Sequence, residues 1–233
     1  MLAAAVLYSS VGHAGASAYL AAMGLFGVAP AAMRPAALVM NIVVATAGTW
    51  RFASAGVVPW PLLAPLCAAS VPAAFVGGAI HLPARLYGPL LALTLLFGAW
   101  RLWAQLERAG LRPAPAARVL LAVGAGFGLL AGLTGIGGGI FLSPTLILAG
   151  WETPRRTAGA SVTFILANSV AGLLGHLSTA GQVPPGTALL ASVALAGGLW
   201  GSWLGAHRLP PLAIRRLLAV VLVVAGVKLL LSA

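Results

Sequence analysis

Apolar residues in this chain come in long unbroken runs, separated by short polar or Gly/Pro-rich stretches, with neither a strand-like nor an amphipathic-helix rhythm. The first run, 1–27, is interrupted by Ser9-Ser10-Val11-Gly12-His13-Ala14-Gly15. Further runs cover about 35–52, 59–80, 84–104, 116–150, 157–176, 184–206 and 211–231. Most match the ~20 residues that a helix needs to cross a bilayer core. The run at 116–150 is too long for one span and short for two, and Thr134-Gly135-Ile136-Gly137-Gly138-Gly139 breaks its middle. Successive glycines each cost about 1 kcal/mol in a helix relative to Ala, so the run predicts two half-helices around a broken centre. The run at 1–27 has the same form with a shorter front end.

These two breaks belong to an internal repeat. Gly15 pairs with Gly139 and Pro30 with Pro154, both at an offset of 124. Gly56-Val57-Val58-Pro59 pairs with Gly181-Gln182-Val183-Pro184 at 125, and Leu82-Pro83 with Leu209-Pro210 at 127. Leu90-Leu91-Ala92 with Leu217-Leu218-Ala219, and Arg101-Leu102 with Lys228-Leu229, keep the offset of 127. The division predicted is a first transmembrane repeat at 1–103, a cytoplasmic linker at 104–117 and a second repeat at 118–233. The fold class expected is all-α and polytopic, with about eight hydrophobic segments. Each repeat holds one Gly-broken segment and three full-length transmembrane helices.

Composition removes the soluble alternative. Hydrophobic residues make up 61% of the chain and charged ones 6%, with a mean hydropathy of +1.05; a soluble domain is about 25% charged. The net charge of +11 does not signal nucleic acid, because the basic residues fall singly or in pairs at the ends of apolar runs. Trp50, Trp60, Trp100, Trp103, Trp151, Trp200 and Trp203 lie mostly at those ends too, as an interfacial belt does. Cys67 is the lone cysteine, so neither an intramolecular disulfide nor a multi-cysteine metal site is expected. No charge precedes Arg34, and a cleavable signal peptide is therefore not expected.

The same basic residues give an orientation. If each broken segment returns to its side of origin, the halves are inverted. Arg51, Arg101, Arg108, Arg112, Arg118, Arg155, Arg156, Arg208, Arg215 and Arg216 then share the cytoplasmic side, leaving Arg34, Arg85 and Lys228 outside. If each crosses once, the split is six inside and seven outside. The first arrangement fits the positive-inside rule, predicting inverted repeats with both termini outside.

Inverted repeats with broken helices point to a secondary transporter whose site lies near the midplane. A half-helix starting after a Gly run offers free backbone N–H groups and the positive end of its dipole, which suits small oxyanions. The only carboxylates, Glu107 and Glu152, fall in predicted loops. A channel-like or metal-cation pathway lined by backbone carbonyls is the alternative. An enzyme is not expected: there is no carboxylate pair, no H-E-x-x-H and no Ser/His/Asp set.

Gly135-Ile136-Gly137-Gly138-Gly139-Ile140-Phe141-Leu142-Ser143-Pro144 resembles the G-x-G-G-G-x-x-x-x-P signature of the sulfite exporter TauE/SafE family of bacterial permeases. Ala158-Gly159-Ala160-Ser161 resembles that family's element opening the next helix, and His176 to Val183 its following loop. The resemblance spans nearly the whole chain. It implies movement of sulfite, sulfonates, thiosulfate or related small anions across the bacterial cytoplasmic (inner) membrane. The first half departs from the signature, reading Val11-Gly12-His13-Ala14-Gly15-Ala16-Ser17 and lacking the paired Pro near residue 20.

The candidate substrate-binding residues are Gly12, His13, Gly15, Asn41, Gly135, Gly137, Gly138, Gly139, Ser161 and Asn168. His13 could bond an anion or shuttle a proton, or be a neutral histidine satisfied by a carbonyl. Asn41 and Asn168, at similar depths in the second long helix of each half, face the site or bond between helices. Ser161 and Thr163 are donors, or back-bond to their own helix. Arg51 and His176 read as interface anchors, and His81 and His207 carry no role. No catalytic residue, metal or cofactor is expected. The partners are a small-molecule anion, the lipid bilayer and a second copy in a homodimer, with no nucleic acid.

Overall fold

The computed structural model describes residues 2, 5–6, 16–104, 110–179, 182–207 and 211–231. Among them every regular element is a helix. In chain order these are α1 (Ala16–Leu25), α2 (Pro30–Ser54), α3 (Trp60–Ala79), α4 (Ala84–Trp103) and α5 (Ala117–Thr134), then α6 (Gly139–Leu148), α7 (Pro154–Thr179), α8 (Thr187–His207) and α9 (Pro211–Leu231). Five described helices, α2 to α5 and α7, are long and apolar enough to cross a membrane. The chain is a polytopic helical membrane protein.

Helix lengths recur between α1–α4 and α6–α9. The pairs α1/α6, α2/α7, α3/α8 and α4/α9 run 10/10, 25/26, 20/21 and 20/21 residues. Both short helices also stop in the same way. Gly27 and Gly150 take φ of +70° and +71°, and the next N–H reaches back five residues, Val28 to Met23 O and Trp151 to Leu146 O. That is the Schellman stop, in which glycine adopts the left-handed conformation without a Cβ penalty.

The chain packs as two compact units. One comprises Met1–Val44, His81–Gln105 and Val183–Ala233; the other comprises Ala45–Ile80 and Leu106–Gln182. In the first, α9 packs on α4 and α1. The guanidinium of Arg216 lies 5.8 Å from the Trp103 ring centroid at one end of the α4–α9 pair. At the other end of α9, Lys228 Nζ donates to Leu25 O (2.6 Å), capping the last turn of α1.

In the second unit α3 packs on α5 and α7, and α6 packs on α7. Lipid supplies no hydrophobic drive between helices, so close backbone approach carries the packing. Gly124, Gly128 and Gly132 of α5 stand against the backbone of Leu66, Ser70 and Ala74 of α3, four residues apart on both helices. Residue numbers rise together, so α3 and α5 are parallel. The α3–α7 pair is parallel too: Gly159 lies at Val57 O, and Thr179 Oγ1 donates to Ala79 O (3.2 Å).

α6 runs the other way. Phe141 stacks on Phe127 with centroids 5.7 Å apart, Leu142 and Leu146 join Leu120 in one buried cluster, and Arg112 N donates to Gly150 O (2.7 Å). The run at 116–150 is therefore a hairpin that returns to its starting side. The break falls where the glycines predict it, and the two pieces it separates are unequal. α5 is 18 residues, about 27 Å at 1.5 Å per residue, whereas α6 is 10 residues and about 15 Å.

The end of α2 is antiparallel to α7. Gly48 lies at Val162, and Phe52 and Val57 lie at Gly159. The sequence repeat pairs these two helices, so within this unit the paired helices point in opposite directions. Its described arginines, Arg51, Arg112, Arg118, Arg155 and Arg156, all fall at the end where α5 and α7 begin and α2 stops.

Candidate functional site

The tip of the α5–α6 hairpin is built by left-handed glycines. Gly135 ends α5 at φ +81°, with its N–H on Ala131 O (2.9 Å). Thr134 Oγ1 donates to Leu130 O (2.7 Å) and accepts from Ile136 N–H (3.3 Å). Gly137 and Gly138 follow at φ +80° and +82°, a region that costs other residues about 1–2 kcal/mol each. Gly138 is the N-cap of α6, and its carbonyl accepts from the N–H groups of Phe141 and Leu142 (3.1 Å each).

The N–H groups of Gly137, Gly138, Gly139 and Ile140 make no hydrogen bond among the described residues. Residues 134–139 are all buried. Unpaired buried N–H groups are rare, and here they lie where the dipole of α6 is positive. α5 ends at the same tip with its last carbonyls, so donors and acceptors both converge there.

One face of α7 closes over the tip. Ser161 Oγ and Ser143 Oγ are 2.7 Å apart. A Cβ on Gly138 would stand 2.8 Å from Phe164 Cε1, and one on Gly139 would meet the Ile165 side chain. Asn168 lies three residues beyond Ile165 on that face. One turn further, Gly172 touches Gly78, which itself touches Gly132 in the last turn of α5. Asn168 thus sits between a contact to the start of α6 and one to the end of α5, level with 135–138. It is fully buried (0% exposed), and neither Oδ1 nor Nδ2 has a hydrogen-bond partner. It also lies near the middle of the 26-residue α7.

A family model described as Sulfite exporter TauE/SafE matches residues 1–229. The chain belongs to the TauE/SafE family. It is also similar to a protein of Sinorhizobium fredii (strain NBRC 101917 / NGR234) named probable membrane transporter protein y4hK. That relative is 37% identical over 235 residues, covering 97% of this chain and 94% of the other. No solved structure matches the chain. As a TauE/SafE member it is a membrane transporter and not an enzyme.

The structure of this TauE/SafE member brings Gly135, Gly137, Gly138, Gly139 and Ser161 together, with Asn168 two turns beyond Ser161 on the same face of α7. Asn41 is buried in the α2 portion of the other unit (1% exposed). Gly12, His13 and Gly15 lie outside the described residues. Thr163 back-bonds to Gly159 O (2.9 Å), and His176 Nε2 lies 3.3 Å from Gln182 O near the end of α7. Glu152 pairs with Arg156 (2.9 Å) at the arginine-rich end of its unit. Sequence reasoning missed Ser143 as a site residue, although it stands in the Gly-rich signature one turn after Gly139, on the side where Ser161 arrives.

Proposed function

We propose that this TauE/SafE transporter moves a small anion, sulfite or a related sulfur oxyanion, and holds it at the α5–α6 tip. The observation that carries this reading is the row of four unengaged N–H groups at the positive end of α6, three of them on buried glycines, with the buried and unpartnered amide of Asn168 on the α7 face that packs there. Partial charges from backbone and amide dipoles stabilise an anion in a low-dielectric site, and glycines let it reach the backbone. Sulfur specificity draws on the family's description.

The cycle we infer is alternating access between inverted repeats at 1–103 and 118–233, joined by the linker at 104–117. The arginine-rich end of the second unit faces the cytoplasm of a bacterial cell, the termini lie outside, and a second copy completes a homodimer. The antiparallel run of α2 against α7, which the repeat pairs, supports the inversion.

The test is flux in proteoliposomes. Sulfite counterflow that is lost in Gly138→Leu supports the reading, and full transport by Gly138→Leu refutes the tip as the site. A cation current without anion flux would instead favour a carbonyl-lined cation pathway at the end of α5.

A further inference from the structure

The donor and acceptor inventory at the tip says more about the ligand than its sign. We infer that the site selects the singly protonated form of its anion, one that carries an O–H as well as acceptor oxygens. This rests on the anion reading above and narrows it.

Asn168 carries the inference. Its amide is fully buried with both ends unpartnered. Whichever way the amide is turned, one end donates and the other accepts. An aprotic anion satisfies Nδ2 and the N–H groups of 137–140 but leaves Oδ1 buried without a donor. A buried acceptor left unmade costs enough to cut affinity by about tenfold or more. A hydrogen-oxyanion such as hydrogensulfite satisfies both ends at once, its oxygens accepting and its O–H donating. The last carbonyls of α5 add acceptors on the same side of the tip, whereas in the Ser143–Ser161 pair one hydroxyl proton is spent on the other oxygen and one remains to donate. A site built to hydrogen-bond a ligand O–H rejects the analogue that lacks it far more strongly than an apolar pocket rejects a methyl.

Sulfite and methanesulfonate separate the alternatives. Both offer a monoanion near neutral pH, but only hydrogensulfite has the proton. Binding to the purified full chain, measured by thermal shift, and uptake into proteoliposomes should favour sulfite by about tenfold or more. At fixed total sulfite, uptake should rise as pH falls through the second ionisation of sulfite, while that of methanesulfonate stays level. On α7 and the helices packed against it, the described titratable groups are Arg34, Arg51, Cys67, Arg118, Arg155, Arg156 and His176. The arginines and His176 stand at the helix ends, and Cys67 packs against the cluster near the start of α3. The methanesulfonate control reports any titration of these groups.

Asn168→Leu, similar in volume, should bring the sulfite preference close to one while methanesulfonate still binds. Asn168→Ser, which keeps a donor and an acceptor, should retain a preference and covers the case in which Asn168→Leu fails to fold. Equal handling of the two anions by the wild type, or an unchanged preference in Asn168→Leu, overturns the inference while leaving the anion reading intact. A folded protein that binds and moves neither anion overturns both.

Discussion

Gly138→Ala tests the hairpin tip with a single methyl group. Two penalties act at the same atom. The residue stands at φ +82°, where a Cβ costs about 1–2 kcal/mol. The new Cβ would also lie 2.8 Å from Cε1 of Phe164, a fully buried ring in the cluster with Leu142 and Leu146. Overpacking a filled site of this kind costs about 1–3 kcal/mol. Restricting the unfolded chain returns about 0.4–1 kcal/mol, so the net loss expected is roughly 2–4 kcal/mol.

The comparison that isolates the cause is Gly126→Ala. Gly126 lies inside α5 with open space where its Cβ would stand, so the same methyl should stabilise by about 0.5–1 kcal/mol. Reversible unfolding in mixed detergent micelles reads both variants. Combining Gly138→Ala with Phe164→Leu should relieve the clash and leave the backbone penalty, giving a coupling of about 0.5–3 kcal/mol in a double-mutant cycle. Equal stability of Gly138→Ala and wild type would refute the tip geometry. Zero coupling would leave the backbone penalty alone to explain the loss.

Gly128→Leu drives a side chain into Ser70 O on α3 and should destabilise by more than Gly126→Leu does, by about 1–3 kcal/mol in the same micelle assay. Lys228→Met removes the cap on Leu25 O, an exposed contact, and should cost no more than about 1 kcal/mol, visible as faster hydrogen exchange in the last turn of α1. Cysteines placed at Arg112 and Arg155 should be labelled only from the cytoplasmic side in intact cells, and a reporter fused after Ala233 should read as external.

The sequence made the break legible, because a 35-residue apolar run with four glycines at its centre cannot be a single span. The basic residues gave the run's return to its starting side, but not the packing that holds α6 there. That depends on Phe141 meeting Phe127 and on Arg112 meeting Gly150, contacts that no apolar periodicity encodes. The equal stops of α1 and α6 were within reach, since Gly27 and Gly150 lie at an offset of 123, one residue from that of Pro30 and Pro154. The place of Asn168 was hidden for a different reason. Its level is fixed by Gly172 on Gly78 and by Ile165 on Gly139, and single glycines in a chain holding 30 of them carry no visible signal of which backbone they admit.

The repeat bears on whether Asn41 duplicates that role. At the offset of 124 that aligns Pro30 with Pro154, Asn41 corresponds to Ile165, and Asn168 to Val44. Three residues amount to about 4.5 Å of depth and a rotation of roughly 300° around the helix. On that alignment the two asparagines stand on the same helical face but about one turn apart in depth. A role in reading the ligand's proton follows from position beside the glycine tip, and only Asn168 is tied to such a tip by described contacts. Asn41→Leu should keep the preference for sulfite over methanesulfonate, even where total uptake falls. Loss of that preference in Asn41→Leu, equal to the loss in Asn168→Leu, would show that both halves contribute an amide to one site and that the offset argument fails.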